Sequence, residues 1–190
     1  MIHDFNEKLA FSQGARRLTD LMILKQAIPG CVEVRKTGYK EDLKGVDYVA
    51  VLKGGAEIGI DAKARERGAS KYWKTREAEL ALEIWSVFPC GENTSKIGWT
   101  LSDSSNVDLI LYTFDPSDWD KCYLLPYQML RIAFIRNRED WEKRYSKKMQ
   151  DSGNWYSQAL FVPASVVLKA INLVEVMHTE ILTVKEGNKS

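Results

Sequence analysis

Gly45-Val46-Asp47-Tyr48-Val49-Ala50-Val51-Leu52, then Lys53-Gly54-Gly55, then Ala56-Glu57-Ile58-Gly59-Ile60-Asp61-Ala62-Lys63-Ala64-Arg65, is the stretch on which the fold turns. The first block is rich in residues that fit a pleated strand. The last alternates over nine residues, and the glycine pair between them makes a hairpin turn. Alternation puts Glu57, Gly59, Asp61, Lys63 and Arg65 on one face, in steps of about 7 Å, and Ile58, Ile60, Ala62 and Ala64 on the other, core face. A two-residue loop, Gly54-Gly55, would pair Tyr48 with Asp61 and turn Asp47 to the opposite face. A three-residue loop, Lys53-Gly54-Gly55, pairs Leu52 with Ala56 and sets Asp47 opposite Asp61, with glycine at the left-handed third position. We read the three-residue loop.

Outward from the hairpin, residues 4–27 read as a helix stopped by Pro29-Gly30, and Cys31 to Thr37 as a first strand. Downstream strands are expected at Ala81 to Val87, Lys96 to Leu101, Val107 to Phe114 and Cys122 to Leu125. Pro126 then opens a helix whose apolar stripe reaches about Met149. Ser152-Gly153-Asn154 reads as a loop, Leu160 to Val162 as a short strand, and Pro163 to Ala170 as a short helix. The reading is one mixed α/β domain spanning residues 1–190.

At 190 residues, 45% hydrophobic and 28% charged, the composition is that of an ordinary globular chain with one sizeable core. The net charge of +1 carries no overall nucleic-acid signature, so any such signal must be local. No apolar run long enough for a membrane span is present, and the first residues lack a signal-peptide pattern. Cys31, Cys90 and Cys122, odd in number and far apart, fit buried thiols in a reducing cytoplasm better than disulfides or zinc. His3 and His178 are the only histidines and lie near the chain ends, so a Ser-His-Asp hydrolase or a His-based zinc site is poorly supported. Carboxylates, a lysine and a metal are the chemistry left.

An acid on one strand and D-x-K on the next, after a helix and a first strand, resembles the PD-(D/E)XK nuclease superfamily. Gly45-Val46-Asp47-Tyr48 matches the first motif without its proline, and Ile60-Asp61-Ala62-Lys63 matches the second. Asp61-Ala62-Lys63-Ala64-Arg65, Leu82-Glu83-Ile84-Trp85-Ser86, Lys96-Ile97-Gly98-Trp99, Val107-Asp108-Leu109-Ile110-Leu111-Tyr112 and Leu124-Leu125-Pro126-Tyr127 look like phage-type members. The resemblance implies a restriction-endonuclease-like α/β core over about residues 5–138, a mixed central sheet flanked by helices, and a C-terminal extension over 139–184. It also implies a Mg²⁺- or Mn²⁺-dependent endonuclease acting on DNA, duplex or branched, with no membrane partner; many relatives are homodimers.

Under that resemblance Asp47 and Asp61 supply hard oxygen ligands, the Ala62 carbonyl a third, and Lys63 orients or deprotonates water and stabilises the developing charge. Glu83 matches a further acidic position. Glu79, and on the first helix Glu7 or Asp20, are accessory candidates. A basic segment leaves the active strand directly, with Lys63, Arg65, Arg67, Lys71, Lys74 and Arg76 against Glu66 alone and with Tyr72 and Trp73 interleaved. It is the expected phosphate-binding surface. A second basic run, Arg131 to Lys148, carries three acids and reads rather as a solvated helix face. A catalytically inactive nuclease fold that binds nucleic acid or inhibits a protein remains the alternative, and so does an unrelated α/β protein with an accidental D-x-K.

Overall fold

Pro29 and Gly30 end the first helix as expected. A computed structural model describes residues 16–38, 45–88, 94–103, 106–115, 117–118, 120–151 and 155–174. In it α1 (Arg16–Ala27) runs into Ile28, whose N–H donates to the Leu24 carbonyl at 3.1 Å. Gly30, at φ 73°, then turns the chain into β1 (Cys31–Lys36). The rest of the helix expected from residue 4, Glu7, Cys90, both histidines and the 152–154 loop lie outside the described residues. Among the described residues no helix is long and apolar enough to cross a membrane.

β1, β2 (Tyr48–Leu52) and β3 (Glu57–Ala64) form an antiparallel meander. β6 (Leu109–Thr113) lies parallel to β3, and β7 (Tyr123–Pro126) closes a five-stranded sheet of order β1-β2-β3-β6-β7. On one face Leu24 and Ile28 of the α1 segment pack with Tyr48, Ala50, Ile60 and Leu111, all buried. Burial of a Leu or Ile side chain is worth about 1.5–3 kcal/mol, so this cluster, not helix propensity, holds α1 on the sheet.

Strands that the sequence reading puts in one central sheet lie in a second one. β4 (Glu79–Val87), β5 (Lys96–Ile97), β8 (Ser146–Asp151) and β9 (Tyr156–Pro163) form an antiparallel sheet of order β5-β4-β9-β8. α2 (Tyr127–Arg144) is correspondingly shorter than expected. The segment read as its last turns is β8, which finds a partner in β9 from Ser146↔Phe161 to Asp151↔Tyr156. Cross-strand pairing outweighs the helical reading of a polar run, Lys147-Lys148-Met149-Gln150, with little apolar periodicity. Residues 164–174 are helical, past the expected end at Ala170. The contacts group into two compact units: α1, β1–β3, β6 and β7 in the first, and β4, β5, β8, β9 and nearly all of α2 in the second. The chain crosses between them at Tyr72–Trp73, Ser102–Asp103 and Tyr127–Gln128.

Gly59 is where the segment before β6 meets β3. Its N–H donates to Asp108 Oδ2 at 2.7 Å, and its carbonyl accepts the Asp108 N–H at 2.8 Å. A Cβ at this position would stand 2.6 Å from the Asn106 carbonyl oxygen. Asp108 is thus a staple that seats β6 beside β3. Gly59→Ala should cost about 1–3 kcal/mol in a denaturant titration, since the neighbour is backbone and yields little. An unchanged midpoint would contradict this close approach.

Candidate metal centre and nucleic-acid interface

The register of the decisive hairpin is the odd one. Tyr48 pairs with Ile60 and Val51 with Glu57, and the Leu52 N–H donates to the Ala56 carbonyl at 2.8 Å. Lys53-Gly54-Gly55 is therefore the loop, with Gly55 at φ 88°. One step past Tyr48 and Ile60, Asp47 stands opposite Asp61, close enough for Asp61 to raise the proton affinity of the Asp47 carboxyl.

Three backbone contacts fix Asp47. Its N–H donates to the Ile60 carbonyl at 2.9 Å, and its carbonyl accepts the Thr37 N–H at 3.0 Å. Its Oδ2 accepts the Ala62 N–H at 2.8 Å. The sequence reading drew on Ala62 only for its carbonyl. The structure shows its amide gripping the acid of the neighbouring strand, a tie that residue identity does not signal, because every residue but proline carries that N–H. Asp61 is only 6% exposed, and Lys63 Nζ lies 2.8 Å from its Oδ2.

Burial pushes the Asp47 carboxyl up to about 6 from the ordinary 3.8. The Ala62 amide opposes that rise, the adjoining Asp61 adds to it, and Lys63 offsets it slightly. Two hard oxygen donors brought together at such a cost suit a divalent cation, whose charge would relieve both the burial and the mutual repulsion. Among the described residues no three His, Cys, Asp or Glu side chains gather at one point, so backbone carbonyls and water would have to fill the remaining positions.

The accessory acids have other work. Asp20, 5% exposed, accepts the Tyr48 hydroxyl at 3.2 Å on the α1 face of the sheet, opposite to the face of Asp61. Glu83 stands on β4 in the second unit, where its Oε2 accepts the Ser86 hydroxyl at 2.7 Å and the Trp99 N–H at 3.3 Å. It ties β4 to the segment after β5. Glu79, also on β4 and buried, accepts the Lys74 N–H at 3.1 Å. Cys31 is half-buried and Cys122 exposed, so neither is the buried thiol expected of it, and both are free.

The basic segment is divided between the units. Arg65, Arg67 and Lys71 belong to the first, Lys74 and Arg76 to the second. Arg67, Lys71, Lys74 and Arg76 are exposed, while Arg65 is half-buried. The short turn Ala69–Tyr72 is pinned by Asp118, whose carboxylate accepts the Ala69 N–H and the Ser70 hydroxyl, each at 2.8 Å. Lys71 Nζ lies 4.8 Å from the centre of the Tyr72 ring, itself exposed. In the Arg131 to Lys148 run, by contrast, three of the seven cations are held in ion pairs. Glu142 takes both Arg138 (2.7 Å) and Lys147 (2.9 Å), and Asp140 takes Arg144 (2.9 Å). Lys147 first, then Arg138, hold the Glu142 carboxyl below its ordinary range.

Because the folded Asp47 carboxyl binds its proton more tightly than the unfolded one, the native state holds the extra proton between about pH 4 and 6. Stability therefore falls as pH rises through that window, and the deficit is complete above it. Asp47→Asn keeps the shape and an acceptor for Ala62 without the charge. It should be more stable than the wild type by roughly 2–3 kcal/mol at pH 8 in the absence of divalent cations, and by little at pH 4. A gain that does not grow with pH in denaturant titrations would contradict the buried-charge account.

Compared with protein-family models, with curated proteins and with solved structures, the chain finds no match.

Proposed function

We propose that this protein is a Mg²⁺- or Mn²⁺-dependent nuclease that hydrolyses phosphodiester bonds in DNA, a divergent member of the PD-(D/E)XK superfamily. The observation that carries the reading is the adjoining Asp47–Asp61 pair, the first half-buried and the second buried, with Lys63 beside it, at the positions of the two motifs. A helix and a first strand precede the acid-bearing strand, and D-x-K follows on the next, which is the order of the resemblance. Asp47, Asp61 and the Ala62 carbonyl would hold the cation, which would supply positive charge at the phosphate and acidify a water. Lys63 would orient that water and stabilise charge developing on the phosphate oxygens. Arg65, Arg67 and Lys71, on the chain leaving β3, would hold the flanking backbone. Glu83 and Asp20, each engaged in a structural bond, have no step in this scheme. A module that only binds nucleic acid has no use for two adjoining carboxylates, which repel phosphate when no cation is present.

Two measurements test the reading. Of labelled duplex, branched and single-stranded DNA and RNA incubated with Mn²⁺ or Mg²⁺, the wild type should cut DNA, and Lys63→Ala, its fold checked by circular dichroism with the cation present, should cut at least about 100-fold more slowly. Wild-type cleavage rates in Lys63→Ala would remove Lys63 from the mechanism. Replacing Arg67, Lys71 and Lys74 together by alanine should flatten the slope of log affinity against log salt by about 2–3 units on duplex DNA and weaken all sequences alike. Replacing Arg138, Arg144 and Lys147 should do much less, because each already has an acidic partner in Asp140 or Glu142. The reverse ranking would move the DNA to α2.

A further inference from the structure

We propose that Lys63 is the internal counter-ion of this site, which a divalent cation enters by displacing its ammonium from Asp61. The inference rests on the metal-site reading above and adds to it an order of events, cation before phosphate. Lys63 and Asp61 are i, i+2 neighbours on one strand face, with Cα atoms about 7 Å apart. To reach Asp61 Oδ2 at 2.8 Å, the lysine side chain must fold back along its own strand instead of standing away from the sheet. What draws it there is the Asp61 carboxylate, whose side chain is 8% exposed and would be an uncompensated buried charge without a partner.

A cation ligated by Asp61 and Asp47 would find an ammonium already on one of its donor oxygens. Two positive centres sharing one carboxylate repel, more strongly here than in water because Asp61 is buried. Binding is therefore an exchange. The ammonium leaves Asp61 as the cation arrives, and with its own side chain 31% exposed it has a way out to solvent. A flexible four-carbon stem with a compact charge suits such a move, whereas a planar guanidinium would grip the carboxylate with two bonds and resist it. Once released, Lys63 is available to phosphate. The same side chain thus stabilises the cation-free site and serves the loaded one.

The exchange predicts opposite signs for cation binding and for turnover. Calorimetric titration with Mn²⁺ alone at pH 8 compares the full-length wild type with Lys63→Met, Lys63→Gln, Lys63→Arg and Asp61→Asn. Both neutral Lys63 variants should bind Mn²⁺ about tenfold or more tightly than the wild type, while losing cleavage, because the competitor for Asp61 is gone. Lys63→Arg should bind it more weakly. Should either neutral variant be poorly folded without cation, Mn²⁺ should raise its Tm by more than it raises that of the wild type. Unchanged or weaker Mn²⁺ binding in both neutral variants, with binding lost in Asp61→Asn, would overturn the counter-ion role and leave the metal site standing. Absence of Mn²⁺ binding to the wild type and to every variant would overturn both.

Discussion

Side chains alternate along a strand, so one residue more or less in the loop at Lys53 to Gly55 would send Asp47 to the wrong face of the sheet and separate it from Asp61. The site depends on that constraint. The three-residue loop is secured at its base by the Leu52 N–H bonded to the Ala56 carbonyl, and Gly55 takes the positive φ that the turn demands. From this loop the meander delivers Asp47 to the end of β2, where the Thr37, Ile60 and Ala62 backbones hold it. None of these ties requires a particular side chain on the partner, so the placement is a property of the pairing. Only the identity of residues 47, 61 and 63 makes that pairing a cluster of two carboxylates and an ammonium.

Placing two acids there works against stability, and the surroundings limit the cost without cancelling it. The Ala62 amide favours the ionised form of Asp47, and Lys63 answers the charge of Asp61, yet burial and the neighbouring acid still dominate at Asp47. A core with no chemical task would place apolar residues at these positions, as it does next door at Ile60 and Ile110, both fully buried. The pair is a local departure from the consistency of the remaining sheet, and departures of this kind concentrate where a site is pre-organised for a ligand.

What the sequence revealed and what it hid follow the range of the interactions. Hairpin register was legible because it is local: two glycines, two alternating runs and a parity argument suffice. The end of α1 was legible at Pro29-Gly30 for the same reason. The second sheet was not, because β4 finds β9 some eighty residues downstream, and nothing in Glu79 to Val87 names that partner. Residues 146–151 read as helix because a polar run after a helix looks like more helix until a pairing strand is known. Glu83 drew attention as an acid in a suggestive motif. Its partners, the Ser86 hydroxyl and the Trp99 amide, belong to the irregular pairing of β4 with β5, which no spacing rule announces.

Charge shows the same contrast between identity and arrangement. By composition the two basic runs differ little, with six basic residues in one and seven in the other. Their acids decide the difference. On α2, Asp140 and Glu142 stand at i, i+4 spacing to Arg144 and from Arg138, so helical geometry closes these pairs whatever else the protein does. Between Lys63 and Arg76 the only acid is Glu66, and the chain there leaves a strand, makes one short turn and continues irregularly, with no repeat that could bring opposite charges together. The Asp118 carboxylate that pins this segment is spent on the Ala69 amide and the Ser70 hydroxyl. Asp118 thus shapes the segment through uncharged donors, leaving its exposed cations to face solvent. A phosphate backbone gains most from such unmatched charge, because it releases its own counter-ions on binding and breaks no existing pair.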